Sequence, residues 1–228
     1  MTKAEETLPA VPPILDLGPV AGVSDPALLF QLMDQSKVAG NVGGLTLLAP
    51  LFGHLLDDQM RAEGKTDPKL AQAYADCVMP NVVLTGRLRV TDALRLLALL
   101  PLIPGRSELV LHLLAADLDG DWVDHANGGA SAAQHVQIVR AILHIQTTAF
   151  GAALESLSQI RPDQQGDLWR VDLDLLRALD CAVTGDIQEG VQALNRRRAS
   201  WDKAPAIADS PDWLGVAACT ILGIRQKS

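Results

Sequence analysis

The stretch that decides the fold is 131–157, SAAQHVQIVRAILHIQTTAFGAALESL. Val136, Val139, Ile142, Leu143, Phe150, Leu154 and Leu157 recur at threes and fours, the spacing that gathers apolar side chains on one face of an α-helix. Ser131 and Gln134 form a capping box, in which the cap hydroxyl and the later amide satisfy each other's free backbone donors. The stretch therefore predicts one long helix facing a core.

The same signals repeat on either side. Ser24-Asp25-Pro26 and Asp67-Pro68 each place a capping residue before a proline suited to the first helical turn. They open ALLFQLMDQSKV and a helix that ends before Pro80. Between them GNVGG breaks the pattern, and a helix runs from about Leu45 through Leu55 to about Arg61, kinked at Pro50. Thr91-Asp92 opens ALRLLALL, closed by Pro101 and Pro104, and Ser107 with Glu108 opens LVLHLLAADL. After 157, Leu168, Val171, Leu175, Leu179 and Val183 form a stripe stopped by Gly185. Asp186 and Glu189 cap a helix to about Trp201, and Ser210-Pro211-Asp212 starts WLGVAACTILGI. The expectation is an all-α, compact multi-helix domain over 24–228, of roughly eight or nine helices joined by short turns, behind an irregular arm at 1–23. No convincing strand is found. Residues 167–202 form a helical hairpin whose TGDIQEGVQAL turn is similar to that of a tetratricopeptide unit, with no second copy at that period.

Composition narrows the function classes. Apolar residues make up 48% of the 228 and charged residues 20%, a globular balance rather than a disordered one. Nineteen Lys and Arg against 27 Asp and Glu give a net charge of −8, which argues against nucleic acid and suits a cationic partner. Cys77, Cys181 and Cys219 lie far apart with no CxxC pair, so neither a zinc knuckle nor a disulfide framework is indicated, and a reducing cytoplasm is expected. MTKAEETLPAVPP lacks the basic start and apolar run of a signal peptide. The uncharged VAGNVGGLTLLAPLFGHLL at 38–56 carries Asn41, His54, Pro50 and several glycines, and reads as a buried helix rather than a membrane span.

Candidate chemistry concentrates at DLDGDWVDHANGG, 117–129. Asp117, Asp119 and Asp121 alternate as in a calcium loop, but Trp122 occupies the place of the turn glycine and Gly128 that of the closing glutamate. An irregular metal site would add Asp124 and His125 to the three alternating aspartates. Alternatively Asp117, Asp119, Asp121 and Asp124 steer a basic protein partner, with Trp122 as the aromatic anchor or as a pin holding the loop. A second cluster places His54, Asp57 and Asp58 on one helical face. Its paired aspartates resemble the acidic motif of helical prenyl-chain synthases, although Met60 and Arg61 stand where a third aspartate would follow. His135 and His144, nine apart, fall on opposite faces, and His112 lies among leucines at a core boundary. Arg196, Arg197 and Arg198 complement a helix C-terminus and can pair with carboxylates. No catalytic or nucleotide-binding motif is present, and no cofactor is expected.

The leading expectation is a protein-binding module: an adaptor, a chaperone, or an inhibitor such as a bacterial toxin-neutralising immunity protein. The alternative is a divalent-metal-dependent helical enzyme using 117–125, with His54, Asp57 and Asp58. A third reading is a small-ligand bundle lined by GGLTLLAPLFGHLL.

Overall fold

A computed structural model describes residues 25–119, 132–161, 171–201 and 211–226. The arm at 1–23 lies outside them. Among the described residues there are ten α-helices: α1 (Pro26–Val38), α2 (Val42–Glu63), α3 (Pro68–Thr85), α4 (Val90–Leu99), α5 (Arg106–Ala115), α6 (Ala132–Gln146), α7 (Phe150–Ser158), α8 (Leu173–Thr184), α9 (Ile187–Trp201) and α10 (Trp213–Gln226). The all-α architecture expected from the sequence is what the chain adopts. None of these helices is long and apolar enough to cross a membrane.

The helices start where capping chemistry places them. Asp25, Asn41, Asp67 and Asp172 each accept a hydrogen bond from a backbone N–H in the first turn of α1, α2, α3 and α8. Gly64, Gly86 and Gly185 end α2, α3 and α8 in the left-handed conformation. α4 is the central element. Every residue from Val90 to Leu99 except Arg95 is buried, and α4 packs against α10, α6 and α3. Each fully buried leucine there contributes about 1.5–3 kcal/mol relative to exposure. One continuous core runs from Leu29 on α1 to Leu222 on α10.

Four expectations are corrected. The stretch 131–157 is two helices, not one. Thr147 turns its hydroxyl back onto the Leu143 carbonyl at 3.0 Å, and Thr148 takes φ +60. The Ala149 N–H then reaches the His144 carbonyl and the Thr148 N–H the Ile145 carbonyl, the paired bonds of a Schellman stop. Downstream of the break the stripe misleads: Leu154 is exposed, while Ala153 and Ser156 are the buried residues of α7.

α3 continues through Pro80 to Gly86, because the missing N–H of one proline does not outweigh the packing of the helix's remaining turns. α2 begins at Val42, with Asn41 accepting from Gly44 N–H and both early glycines absorbed into the helix. Gly44 is required there, since a β-carbon would lie 2.8 Å from Asn41 Nδ2 and 2.9 Å from Ser36 Oγ.

Finally, α5 stops at Ala115, and the chain forms a short strand β2 (Asp117–Asp119) paired in parallel with β1 (Arg87–Arg89). Arg87 faces Asp117, Leu88 faces Leu118 and Arg89 faces Asp119, so opposite charges meet across the ladder. Between the strands, α4, a 3-10 turn (Leu100–Leu102) and α5 supply the crossover that a parallel pair needs.

Candidate functional site

α4 carries Asp92 and Arg95 into the core, and each must find a partner there. Tyr74 on α3 donates its hydroxyl to Asp92 Oδ1 at 2.6 Å, and Arg89 Nε donates to Asp92 Oδ2 at 2.7 Å. Arg95 donates to Asp57 on α2, from Nη2 at 2.9 Å and Nε at 3.3 Å, and Trp213 Nε1 on α10 donates to Asp57 Oδ1 at 2.8 Å. Burial, seconded by Asp92, pushes the Tyr74 hydroxyl well above its usual value against the opposing pull of Arg95. Burial acts to lower the Arg95 guanidinium, but Tyr74 and Asp57 together outweigh it and hold it charged. Asp57 is thus a structural acceptor joining α2, α4 and α10.

That assignment separates the His54 cluster. His54 is exposed, Asp57 is spent on Arg95 and Trp213, and Asp58 pairs with Arg61 one turn on. Among the described residues no group of three or more His, Cys, Asp and Glu is placed to hold a metal. Asp117 is exposed on β2, and Asp119 stands 3.7 Å from Arg87. Asp121, Trp122, Asp124 and His125 lie outside the described residues.

His135 is buried on α6, and His112 sits at a boundary 3.8 Å from Glu108. Two arginines of the run are taken up by carboxylates. Arg196 binds Asp174 at 2.9 Å and Glu189 at 3.2 Å, whereas Arg197 is buried between Asp172 at 2.9 Å and Asp212 at 2.6 Å.

Two concavities flank α3, one on each face. A cleft of about 390 Å³ lies between α2, α3 and β1, where Cys77, Val78, Asn81 and Val82 of α3 meet Arg87 and Arg89. A groove of about 830 Å³ lies on the other face, between Ala75, Asp76, Met79 and Val83 of α3 and Glu108, Leu109 and His112 of α5. The junction of α1 and α2 closes one end of this groove with Lys37 and Leu45. The segment GGLTLLAPLFGHLL borders both openings, through Leu45 at the groove and Thr46, Ala49 and Pro50 at the cleft.

On the groove side, Val83 and Leu84 are 62% and 71% exposed although both are large and apolar. Lys37 and Asp76 neutralise each other at 2.6 Å, which leaves the 83% exposed Glu108 carboxylate as the net charge of the rim. Beside His112, two acceptor oxygens belong to this wall. Gln72 gives its amide N–H to Asp76 at 2.6 Å, and its Oε1 is buried without a partner among the described residues. Pro80 has no N–H to return to the Asp76 carbonyl one turn back.

Neither concavity is announced by a motif. The available signals were the consecutive apolar Val82, Val83 and Leu84, more than one buried stripe needs, and the matched alternation of RLR with DLD. No family model matches the chain, and no curated protein or solved structure shows significant similarity to it.

Proposed function

We propose that this chain is a protein-binding module whose α3–α5 groove takes an apolar, positively charged helical segment of a partner protein. The observation that carries the reading is the groove itself: a concavity of about 830 Å³ walled by apolar side chains, the exposed Val83 and Leu84 among them, with a net negative rim. Such a surface favours apolar anchors flanked by Lys or Arg, since a cationic donor meets the exposed Glu108 carboxylate. Asp117, Asp119, Asp121 and Asp124, in the acidic stretch that begins two residues after α5, add to the negative charge of the chain. An adaptor, chaperone or inhibitor of a basic protein fits, an immunity protein being its most concrete form. Three unpaired cysteines suit a cytoplasmic setting.

The test uses two model amphipathic peptides of equal length, one of Leu and Lys, the other of Leu and Glu, titrated into the isotope-labelled protein. The Leu/Lys peptide is expected to bind, shifting amides on α3 and α5, and to weaken by about tenfold with Glu108→Lys or Val83→Asp. Equal binding of both peptides, or binding untouched by those variants, would overturn the reading.

A further inference from the structure

On the opposite face of α3, we propose that the cleft between α2, α3 and β1 is a binding site for a small organic anion, a carboxylate carrying a short aliphatic tail. The cleft, about 390 Å³, is within the range of small-molecule sites, and its walls are divided by chemistry. Ala49, Pro50, Val78, Val82 and Leu88 supply apolar surface. The cationic groups come from one strand: Arg87 and Arg89 are two apart on β1 and so project to the same side, opposite the buried Leu88.

Arg89 is held in place. Its Nε is taken by Asp92, whose other oxygen is fixed by the buried Tyr74 hydroxyl, so the guanidinium is oriented by a partner that touches only one of its edges. Among the described residues its two terminal nitrogens make no hydrogen bond, and they are the pair that grips a carboxylate end-on. Arg87 is 67% exposed, and its ion pair with Asp119, at 3.7 Å, is longer than a hydrogen bond. The Asn81 side-chain amide lines the same cleft and adds a neutral donor.

Charge balance sets the size of the ligand's demand. Asp92 and Asp119 also line the cleft; Asp92 is satisfied by Tyr74 and Arg89, so a carboxylate bridging the two guanidinium ends competes with the strand aspartates Asp117 and Asp119. Cys77 also lines the cleft, but burial, helped by Asp76 against Lys37, raises its thiol to about 12. It stays protonated, and the site is one of binding rather than thiolate chemistry.

The experiment is a titration of the full chain with octanoate, followed by amide shifts, with acetate as the charge-only probe and 1-octanol as the tail-only probe. Octanoate is expected to shift Thr46, Val78, Asn81 and Leu88 and to bind at least about tenfold more tightly than either control. Arg87→Gln, which alters an exposed side chain with no hydrogen-bonded partner, is expected to weaken octanoate by about tenfold, and Asp119→Asn to tighten it severalfold. Equal affinity for octanol, an unchanged affinity in Arg87→Gln, or no shift at these residues would each overturn the assignment. Groove variants at Val83 and Glu108 leave this titration unchanged, so its outcome is independent of the peptide test.

Discussion

Tyr74 is the sole tyrosine of the chain, and its burial beside Asp92 makes it a reporter of the folded state. The fold favours the neutral hydroxyl, because a phenolate there would be desolvated and would face Asp92. Its folded value therefore exceeds the ordinary 10.0. The contribution to stability is complete below that ordinary value and is lost as pH rises through it toward the higher folded one. Urea midpoints are expected to fall above about pH 10, with the phenolate absorbance appearing only as the chain unfolds. Tyr74→Phe is expected to flatten that alkaline decline and to cost about 1–3 kcal/mol at neutral pH, since Asp92 Oδ1 loses its buried donor. An alkaline limb of unchanged slope in the variant would place the titration elsewhere.

One turn and one close helix contact decide how the elements pack. Thr148 sits at φ +60, where a β-branched residue is strained and glycine is not. Thr148→Gly is expected to raise stability by about 1 kcal/mol in chemical denaturation, and a lower midpoint would refute the strain. Gly190 on α9 is a close-approach residue, because a β-carbon would lie 2.8 Å from Leu222 Cδ2 and 3.1 Å from Cys181 Cβ. Gly190→Ala is expected to cost about 1–3 kcal/mol by overpacking the junction of α8, α9 and α10. Gly151→Ala, on α7 with nothing within 4 Å, is expected to gain about 0.5–1 kcal/mol. Opposite signs for the two glycines in one thermal-melt series would check both. Most helices were legible because caps and stripes agree, as in α1, α3 and α8. The break at 147–149 was not, since the apolar spacing happens to stay in phase across it. Nor were β1 and β2, whose three residues each are too few for a period to show, and whose pairing depends on partners 30 positions apart.

Across the whole molecule, α10 is tied in by half-buried carboxylates on two sides. Trp213 reaches Asp57 over 156 positions, and the neighbouring Asp212 holds the buried Arg197 of α9 together with Asp172. Arg197→Ala is expected to cost about 3–5 kcal/mol, because it strands carboxylates that have already lost most of their water; Arg197→Met is expected to cost less than Arg197→Ala. Equal losses in urea unfolding would show that the lost charge rather than the lost volume sets the cost at that position. These ties explain why the candidate site was hardly visible in the sequence. HLLDDQ has metal-ligand spacing, but what Asp57 does is set by Arg95 and Trp213, which no local pattern brings to it. The groove and the cleft are likewise assembled from segments far apart in the chain. Both are bounded by α3, whose one face lines the groove and whose other face lines the cleft. A helix shared as a partition has a thermodynamic corollary. If filling one side moves α3, then the factor by which octanoate changes the affinity for the peptide must equal the factor by which the peptide changes the affinity for octanoate. Measuring either titration with the other site saturated closes that cycle, and a factor of one would mean that the partition is rigid.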